Sequence, residues 1–419
     1  MSLQNEIVTI DSVKKTASLL KEVVLNTPLM QNNFLSDKFK SNIFFKREDL
    51  QQVRSYKIRG AYNKISSLSD DELKNGVVCA SAGNHAQGVA FSCNTKKVKG
   101  VIFMPTPTPN QKIEQVKMFG GDYVDVVLIG DTFDDASENA MVYCKENNMS
   151  FVHPFNDIKV IEGQGTIGLE ILEQSKEKID YLFLPVGGGG LAAGVSSVFK
   201  ILSPETKIIG VEPFGAPSMS TSIKNQTNTK IEKVDKFVDG ASVQKVGDLN
   251  FEICNKNLDQ MVTVHEGKIC QLILDLYNKN AIVVEPAGAM TTAVLDQFQD
   301  EIKGKNVVCL ISGSNNDITR TEEIKERAML HSGLKHYFVV KFPQRAGALR
   351  EFLSEVLGPN DDITHFEYSK KHNRNSGPAV VGLELENPDD IESLIDRMKS
   401  RNFFGEYLND SPDLFQVLV

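Results

Sequence analysis

The stretch DYLFLPVGGGGLAAG, residues 180–194, joins an apolar run, four consecutive glycines and a segment of small residues. The run DYLFLPV has the composition of a buried strand, and LAAG that of the start of a helix. Consecutive glycines let the backbone approach an anion, and the free N–H groups at the start of a helix point toward it. We therefore predict a phosphate-binding turn between a strand and a helix of an α/β domain.

Two alternatives to a phosphate turn remain open for the same glycines. Residues 187–192 also fit the dinucleotide pattern G-x-G-x-x-A, and Glu212 lies at the end of the next predicted strand. That pattern normally belongs to a first βαβ unit, whereas these glycines lie in the middle of the chain. Plain packing of a helix against a sheet is the other alternative.

Strands and helices alternate from about residue 28 to about residue 315. The other apolar runs are GVVCA (76–80), KGVIFMP (99–105), DYVDVVLIG (122–130), KIIGVEP (207–213) and NVVCLISG (306–313). Such alternation predicts twisted parallel sheets that are covered by helices. Ligands of these sheets bind at the carboxyl ends of the strands, so the turns after the strands are the candidate functional segments.

The pattern changes after about residue 333. TRTEEIKERAMLHSG (319–333) predicts a connecting helix that Gly333 ends. The segments HYFVVKFP, AGALREFLSEVL, DITHFEYSKK, PAVVGLEL, DDIESLIDRMKSRNF and LFQVLV then predict the order β-α-β-β-α-β of an α+β ferredoxin-like sandwich. We expect a first domain at 1–330, with a smaller subdomain at about 52–155, and a second domain at 331–419.

Composition excludes several classes of protein. The formal net charge of -9 argues against a nucleic-acid-binding protein, because phosphate contacts need clustered Lys and Arg. The six cysteines form no C-x-x-C pair, which favours reduced thiols. No apolar run has the length of a membrane span, and the N-terminus lacks the features of a signal peptide. We expect a cytoplasmic protein.

Two further turns carry polar side chains after predicted strands. SAGNHAQG (81–88) follows GVVCA and offers backbone N–H groups and the amide of Asn84 to a ligand. Its alternative is a helix capped by Ser81, with Asn84 and His85 in solvent. SGSNND (312–317) follows NVVCLI and offers the neutral hydroxyl of Ser312, its alternative being a polar turn.

Lys57, in RSYKIRGAYNK (54–64), is the candidate nucleophile. A lysine forms a Schiff base when burial or nearby cations lower its pKa, and Arg54 and Arg59 are possible cations beside the wall of Tyr56. A lysine among arginines is more often a surface charge, and this stretch alone favours that interpretation.

Taken together, the lysine, the Asn turn, the glycine turn and the Ser after a strand are the parts of a pyridoxal 5'-phosphate site. The same segments, taken in order, also resemble those of a known family. In the order SYKIRGA, SAGNHAQGVA, PVGGGGLAAG, VEPAGA and SGSNND, residues 7–330 resemble the threonine dehydratase family of fold-type II pyridoxal-phosphate enzymes. The resemblance implies a catalytic domain of two subdomains.

The resemblance also assigns roles to single residues. Lys57 matches the lysine that holds the cofactor covalently and then acts as base at Cα. The other cofactor matches are Tyr56 as a wall (the family usually has Phe), Asn84 at the ring hydroxyl, Gly187, Gly188, Gly189, Gly190 and Leu191 at the phosphate, and Ser312 at the ring nitrogen. The matches to the substrate-carboxylate loop are Ser81, Ala82, Gly83, Asn84 and His85. The implied reaction converts L-threonine to 2-oxobutanoate and ammonia, the first step of isoleucine biosynthesis.

Other functions within and outside this fold stay open. L-Serine is an alternative substrate, and a racemase is an alternative enzyme, although related racemases carry a serine where Ala82 stands. A non-catalytic amino-acid sensor is the alternative from another class. VEPFGAPS (211–218) resembles a cation loop that binds through Glu212 and Ala216, but Ser218 stands where some relatives have an acidic ligand. Glu285 either faces the ring or caps the following helix.

Residues 335–419 resemble the ACT-like regulatory domain of biosynthetic threonine dehydratases. The resemblance implies isoleucine or valine as effectors and a homo-oligomer, which we expect to be a tetramer. The alternative is that this domain serves oligomer assembly alone.

Overall fold

The structure is a computed structural model that describes residues 7–368 and 376–418. Its packing separates two units, Met1–Ile318 and Thr319–Val419, each with its own hydrophobic core. The sequence-based boundary near residue 330 stays a prediction. In the first unit the strands are β1 (Leu29–Gln31), β2 (Asn42–Arg47), β3 (Val77–Ala80), β4 (Gly100–Met104), β5 (Val124–Leu128), β6 (Ser150–Phe151), β7 (Tyr181–Pro185), β8 (Lys207–Pro213), β9 (Gln260–Val264) and β10 (Asn306–Ile311).

Thirteen α-helices accompany these strands in the described part of the first unit. They are α1 (Ile10–Leu20), α2 (Asn33–Phe39), α3 (Lys57–Ser66), α4 (Asp70–Asn75), α5 (Asn84–Lys96), α6 (Asn110–Gly120), α7 (Phe133–Glu146), α8 (Ile158–Gln174), α9 (Gly190–Leu202), α10 (Ser218–Lys224), α11 (Asp248–Asn257), α12 (Glu266–Asn280) and α13 (Pro286–Ala293). Short 3₁₀ helices lie at Glu48–Leu50, Gly121–Tyr123, Leu295–Phe298, Ile318–Arg320, Pro388–Asp390 and Leu408–Asp410.

Two separate sheets build the first unit. The larger has the order β1-β2-β10-β7-β8-β9 and is parallel except for β1, which pairs antiparallel with β2. The smaller has the order β5-β4-β3-β6 and is parallel throughout. β3, β4 and β7 are buried at every position, which is typical of strands covered on both faces. These sheets confirm the predicted α/β fold.

The segment DSVKKTASLLKEVVL (11–25) predicts an amphipathic helix capped by Asp11, and the structure corrects the position of that cap. Asp11 is not the N-cap of α1, because the helix begins one residue earlier and Thr9 accepts the hydrogen bond from the Ser12 N–H. Thr and Asp both serve as N-cap residues, so residue type alone does not distinguish two positions so close together.

The second unit consists of α14 (Thr321–His331), β11 (Lys335–Pro343), α15 (Ala348–Glu355), β12 (Asp362–Tyr368), β13 (Ser376–Glu384), α16 (Ile391–Ser400), β14 (Phe404–Tyr407) and α17 (Pro412–Leu418). Its antiparallel sheet has the order β12-β13-β11-β14, which confirms the ferredoxin-like sandwich. The predicted stop of the connecting helix is also confirmed, since Gly333 adopts φ +67° just after α14.

One predicted strand of the second unit is wrong. The last strand is Phe404–Tyr407, and LFQVLV lies in α17 up to Leu418. A short apolar run does not distinguish strand from helix, but Pro412 at the first helical position and Asp413 in the first turn are helix-start signals. The final residues of the predicted strand DITHFEYSKK lie outside the described residues.

Candidate active site

Lys57 occupies the first position of α3, where Tyr56 is the N-cap residue. Its Nζ donates a hydrogen bond to the carbonyl oxygen of Pro154 at 2.8 Å and lies 5.5 Å from the centre of the Tyr56 ring. The surrounding protein removes most of the bulk water, and this burial lowers the pKa of Lys57 to about 8, although the carboxyl of Glu285 acts in the opposite direction. Near neutral pH a useful fraction of the amine is therefore uncharged and nucleophilic.

Two histidines near Lys57 are held neutral. Burial, followed by the charge of Lys57, lowers the pKa of His85 to about 3 and that of His153 to about 4. His85 Nε2 lies 2.8 Å from the carbonyl oxygen of Val152 and therefore carries the ring proton. His85, predicted in the substrate loop, is only 3% exposed and packs against the end of the small sheet.

The glycine turn follows β7 and leads directly into α9. Gly189 adopts φ +89° as the N-cap residue of α9, a conformation that favours glycine. A Cβ on Gly188 would lie 2.3 Å from the ring of Phe155, and one on Gly187 would lie 2.7 Å from Cα of Ala241. Gly190 and the buried Leu191 form the first turn of the helix. Glycines at 187 and 188 therefore let the loop backbone pack closely against Ala241 and Phe155, and the helix start that follows has free backbone N–H groups.

Asn84 begins α5 and takes part in a chain of side-chain hydrogen bonds. Its Nδ2 donates to Oε1 of Glu285 at 2.7 Å, and its Oδ1 accepts from Nδ2 of Asn315 at 2.7 Å. Burial, followed by the charge of Asp239, raises the pKa of Glu285 to about 7. Glu285 makes no side-chain cap to α13, so it faces the site rather than the helix.

The turn after β10 meets the segment that carries Lys57. The carbonyl oxygen of Ser312 accepts from the N–H of Tyr56 at 3.1 Å, and a bridge pairs Ser55 with Gly313. Ser312 is buried, at 2% exposure. Residues that are more than 250 positions apart in the sequence are thus neighbours in the site.

The Ser81–Gly83 turn lies between β3 and α5. Ser81 Oγ accepts from the N–H of Gly83 at 3.2 Å and does not cap α5, whose N-cap residue is Gly83. A Cβ on Gly83 would meet no atom within 4 Å, so this side of the turn is open, and Ala82 between them adds no polar group. The capping alternative for Ser81 is therefore wrong.

Glu212 and Ala216 lie at a different place, at the end of β8 and before α10. The Glu212 carboxylate accepts from the N–H groups of Met219 and Ser220 at 2.6 and 2.9 Å, and burial raises its pKa to about 7. It is buried, so the alternative of a solvent-facing carboxylate is wrong. Within the described ranges no group of three or more His, Cys, Asp or Glu side chains is placed to hold a metal ion. A cation bound through Glu212 and Ala216 stays a prediction.

Arg59, in contrast to the exposed Arg54, is fully buried. Its guanidinium forms a two-bond fork with Glu48, at 2.8 Å for each bond, and two further bonds with Glu170 at 2.6 and 2.8 Å. Lys46 Nζ reaches the same Glu170 at 2.6 Å. This network ties β2, α3 and α8 together.

The sequence analysis missed several of these site residues, among them Pro154, Phe155 and Asn315. HPFND (153–157) follows β6 as the other functional turns follow their strands, and this position was the available signal. Asn315 lies within the quoted SGSNND, but its partner could not be identified without the fold.

The arrangement fits pyridoxal phosphate. A partly deprotonated amine suits an aldehyde, and a glycine turn at a helix start suits a phosphate. The hydroxyl Oγ of Ser55, fully buried two residues before Lys57, has no hydrogen-bond partner within the described residues, as expected of a group that faces a polar ligand. Lys57, Asn84, the glycine turn and Ser312 would hold the cofactor.

Two family models match the chain. Residues 20–313 match the model of pyridoxal-phosphate dependent enzymes. Residues 326–418 match the model of the C-terminal regulatory domain of threonine dehydratase. No helix of the described ranges has both the length and the apolar character that crossing a membrane requires.

Curated relatives cover nearly the whole chain. The biosynthetic L-threonine dehydratase IlvA of Halalkalibacterium halodurans is 55% identical over 400 residues, which is 96% of each chain. That of Bacillus subtilis is 52% identical over 416 residues, which is 99% of each chain.

Solved structures resemble about three quarters of the chain. The processed threonine deaminase isoform 2 of Solanum lycopersicum has a TM-score of 0.72 and 41% identity, covering 77% of this chain and 94% of its own. A serine racemase of Dictyostelium discoideum has a TM-score of 0.69 and 31% identity, covering 75% of this chain and 100% of its own.

Proposed function

Because the chain belongs to the threonine dehydratases, within the pyridoxal-phosphate-dependent enzymes, we infer that it is a lyase that converts L-threonine to 2-oxobutanoate and ammonia. The observation that carries this inference is the position of Lys57. Its amine, with a pKa lowered to about 8, is joined to the glycine turn through Pro154 and Phe155, and Asn84 and Ser312 lie in the same site. This proposal places the enzyme at the first step of isoleucine biosynthesis.

Lys57 moves the proton in the proposed reaction. Pyridoxal phosphate, when bound, supplies the aldehyde that joins the substrate amine and the ring that withdraws electrons from Cα. The Lys57 amine takes the Cα proton, and the carbonyl of Pro154, 2.8 Å away, orients it. The neutral His85 and His153 add no competing charge beside it.

The remaining residues hold the reactants. The N–H groups of the glycine turn bind the phosphate, and the amide of Asn84 binds the ring oxygen. Ser312 offers the ring nitrogen a neutral hydroxyl rather than a carboxylate, which leaves that nitrogen unprotonated and suits elimination. The open turn Ser81–Gly83 receives the substrate carboxylate.

Racemisation is the second candidate function, since a serine racemase is among the structural relatives at 31% identity. A racemase needs a proton donor on the face of Cα opposite Lys57. Ala82 offers no such group, and this observation favours the lyase.

We also propose that the second unit binds isoleucine or valine and thereby regulates the first. The match of residues 326–418 to a regulatory domain supports this proposal. A cytoplasmic homotetramer remains part of the proposal.

The experiment uses the purified holoenzyme with L-threonine, and separately with L-serine, and measures 2-oxo acid, ammonia and D-serine. We expect 2-oxobutanoate and ammonia from L-threonine, a slower reaction with L-serine and no D-serine. Borohydride should fix the cofactor to Lys57. A protein that takes up no pyridoxal phosphate would refute the lyase, and D-serine as the main product would establish the racemase.

Regulation is tested by titrating isoleucine and valine into the threonine assay. An unchanged saturation curve would refute regulation by these amino acids.

A further inference from the structure

Asn315 connects the side chain of Asn84 to the main chain. Its Nδ2 lies 2.9 Å from the carbonyl oxygen of Val53 and 2.7 Å from Oδ1 of Asn84. A main-chain carbonyl only accepts hydrogen bonds, so the atom of Asn315 that faces Val53 has to be its amide nitrogen. Because the same nitrogen faces Asn84, Asn84 has to present its oxygen on that side.

The orientation of Asn315 therefore determines which atom Asn84 turns toward the rest of the site. With its oxygen bound to Asn315, Asn84 directs Nδ2 toward Oε1 of Glu285, 2.7 Å away. An amide nitrogen carries two hydrogens, and only one is needed for this bond. The other N–H is left as a donor. This order of bonds does not depend on whether Glu285 is ionised, because it starts from a main-chain carbonyl.

Close packing restricts the side chains that form these hydrogen bonds. A Cβ on Gly313 would lie 2.3 Å from Oε1 of Glu285, so the carboxyl rests directly on this backbone. Glu285 is 5% exposed, and the N–H of Glu285 donates to the carbonyl of Gly313 at 3.2 Å. Asn315 follows two residues later in the same turn, so one turn positions both partners of Asn84.

We propose that Asn315 is a positioning residue, which uses the Val53 carbonyl to fix the Asn84 amide so that it offers an N–H to the ring oxygen of pyridoxal phosphate. This proposal rests on the proposed function, because the place of Asn84 at the ring oxygen comes from that function. An N–H donor stabilises the ring oxygen as an anion, whereas an amide oxygen at the same place would require the hydroxyl form.

The variant Asn315→Asp tests the proposal. An ionised carboxylate only accepts hydrogen bonds, so it repels both the Val53 carbonyl and Oδ1 of Asn84, and the Asn84 amide turns over. We expect the visible absorption of the bound cofactor to shift to shorter wavelength, toward the form with a neutral ring oxygen. Equilibrium dialysis should show cofactor binding weakened roughly two- to tenfold, the range for one net hydrogen bond.

Asn257→Asp is the matched control. Asn257 is buried, whereas Asn315 is half-buried, and the Nδ2 of Asn257 faces the hydroxyls of Ser196 and Ser197, at 3.4 and 3.5 Å, on α9. We expect its cofactor spectrum to equal that of the wild type. If Asn315→Asp does not fold, Asn315→Ser replaces it, since a hydroxyl has one hydrogen and serves only one of the two acceptors.

The outcomes separate this proposal from the proposed function. A wild-type protein that takes up no pyridoxal phosphate refutes the function before any variant is compared. A wild type that binds the cofactor, together with a folded Asn315 variant of unchanged spectrum and affinity, refutes the positioning role alone. A shifted spectrum in the Asn315 variant and not in Asn257→Asp supports it.

Discussion

Lys57 and Arg59 are separated by one residue on α3, and burial acts on both cations, but their states are opposite. Lys57 donates to the carbonyl of Pro154, and burial lowers its pKa to about 8. Arg59 is enclosed by the carboxylates of Glu48 and Glu170, which raise its pKa although burial alone would lower it. Lys57 therefore loses its proton more readily than an ordinary lysine, whereas Arg59 stays charged.

The difference shows that the partners of a buried cation decide its role. A carbonyl satisfies the hydrogen bond of an ammonium group but supplies no full counter-charge, so the neutral amine is favoured. Two carboxylates supply the counter-charge, and the guanidinium then holds secondary-structure elements together. From the sequence, Arg54 and Arg59 were both possible causes of a lowered pKa of Lys57. Arg59 does not have that role, because Glu48 and Glu170 balance its charge.

The largest effect is expected at the reactive member of the pair. Lys57→Ala removes the proposed base and attachment point, and we expect turnover of L-threonine to fall by more than about a thousandfold. Borohydride should no longer fix the cofactor to the protein. The control is Lys74→Ala, since Lys74 is exposed and pairs only with Asp71 at 2.8 Å among the described residues. Normal turnover in Lys57→Ala would show that Lys57 is not the catalytic lysine.

Arg59→Met should act on stability instead. It leaves the buried Glu48 without its ion-pair partner and the partly buried Glu170 with Lys46 alone, and we expect the free energy of unfolding of the apoprotein to fall by about 3–5 kcal/mol. Urea unfolding followed by circular dichroism measures this change.

The matched variants for Arg59 are Arg59→Lys and Lys117→Met. A single ammonium cannot reproduce the fork, so Arg59→Lys should recover part of the loss. Lys117 forms an exposed pair with Glu114 at 3.1 Å, and its replacement should leave the unfolding midpoint unchanged within error. If Arg59→Met were as stable as Lys117→Met, the network would have no structural role.

The sequence was sufficient to predict the residues that follow strands. Asn84, the glycine turn and Ser312 all follow strands of parallel sheets, and parallel strands direct their carboxyl ends to one edge. The α/β alternation and the element order of the second unit were also predictable, because buried strands and amphipathic helices leave periodic patterns in the sequence.

The sequence was not sufficient where a role depends on a distant partner. Arg59 finds Glu170 on α8, more than 100 residues later, and no local pattern records that pairing. The same holds for Pro154 beside Lys57 and for Asn315 beside Asn84. LFQVLV was assigned to the wrong element because apolar periodicity is ambiguous over six residues.

The lowered pKa of Lys57 predicts how the apoprotein takes up pyridoxal phosphate. Only the neutral amine attacks the aldehyde, so the uptake rate should rise close to tenfold per pH unit below about pH 7 and level off above the pKa of about 8. An ordinary lysine, with a pKa of 10.5, would give a rate that still rises at pH 9 to 10. The rate of the absorbance change after mixing measures the profile. A rate that still rises at pH 9 to 10 would show that Lys57 has an ordinary pKa, and Lys57 would then be a charged lysine at neutral pH, as Arg59 is a charged arginine.

Glu285→Gln makes the smallest change and tests how far charge, rather than burial, sets the state of Lys57. The carboxyl of Glu285 raises the pKa of Lys57 against the effect of burial, and its own pKa of about 7 means that it is mostly ionised at pH 8. Removing this negative charge disfavours the ammonium form, so the uptake profile should move to lower pH, with a rate at pH 7 that increases by less than about tenfold. Glutamine still accepts from Nδ2 of Asn84, so the side-chain order of the site is kept, and Glu114→Gln on the exposed face of α6 is the control. A profile that stays in place would mean that burial alone sets the pKa of Lys57. The two cations of α3 would then differ because only Arg59 has effective counter-charges.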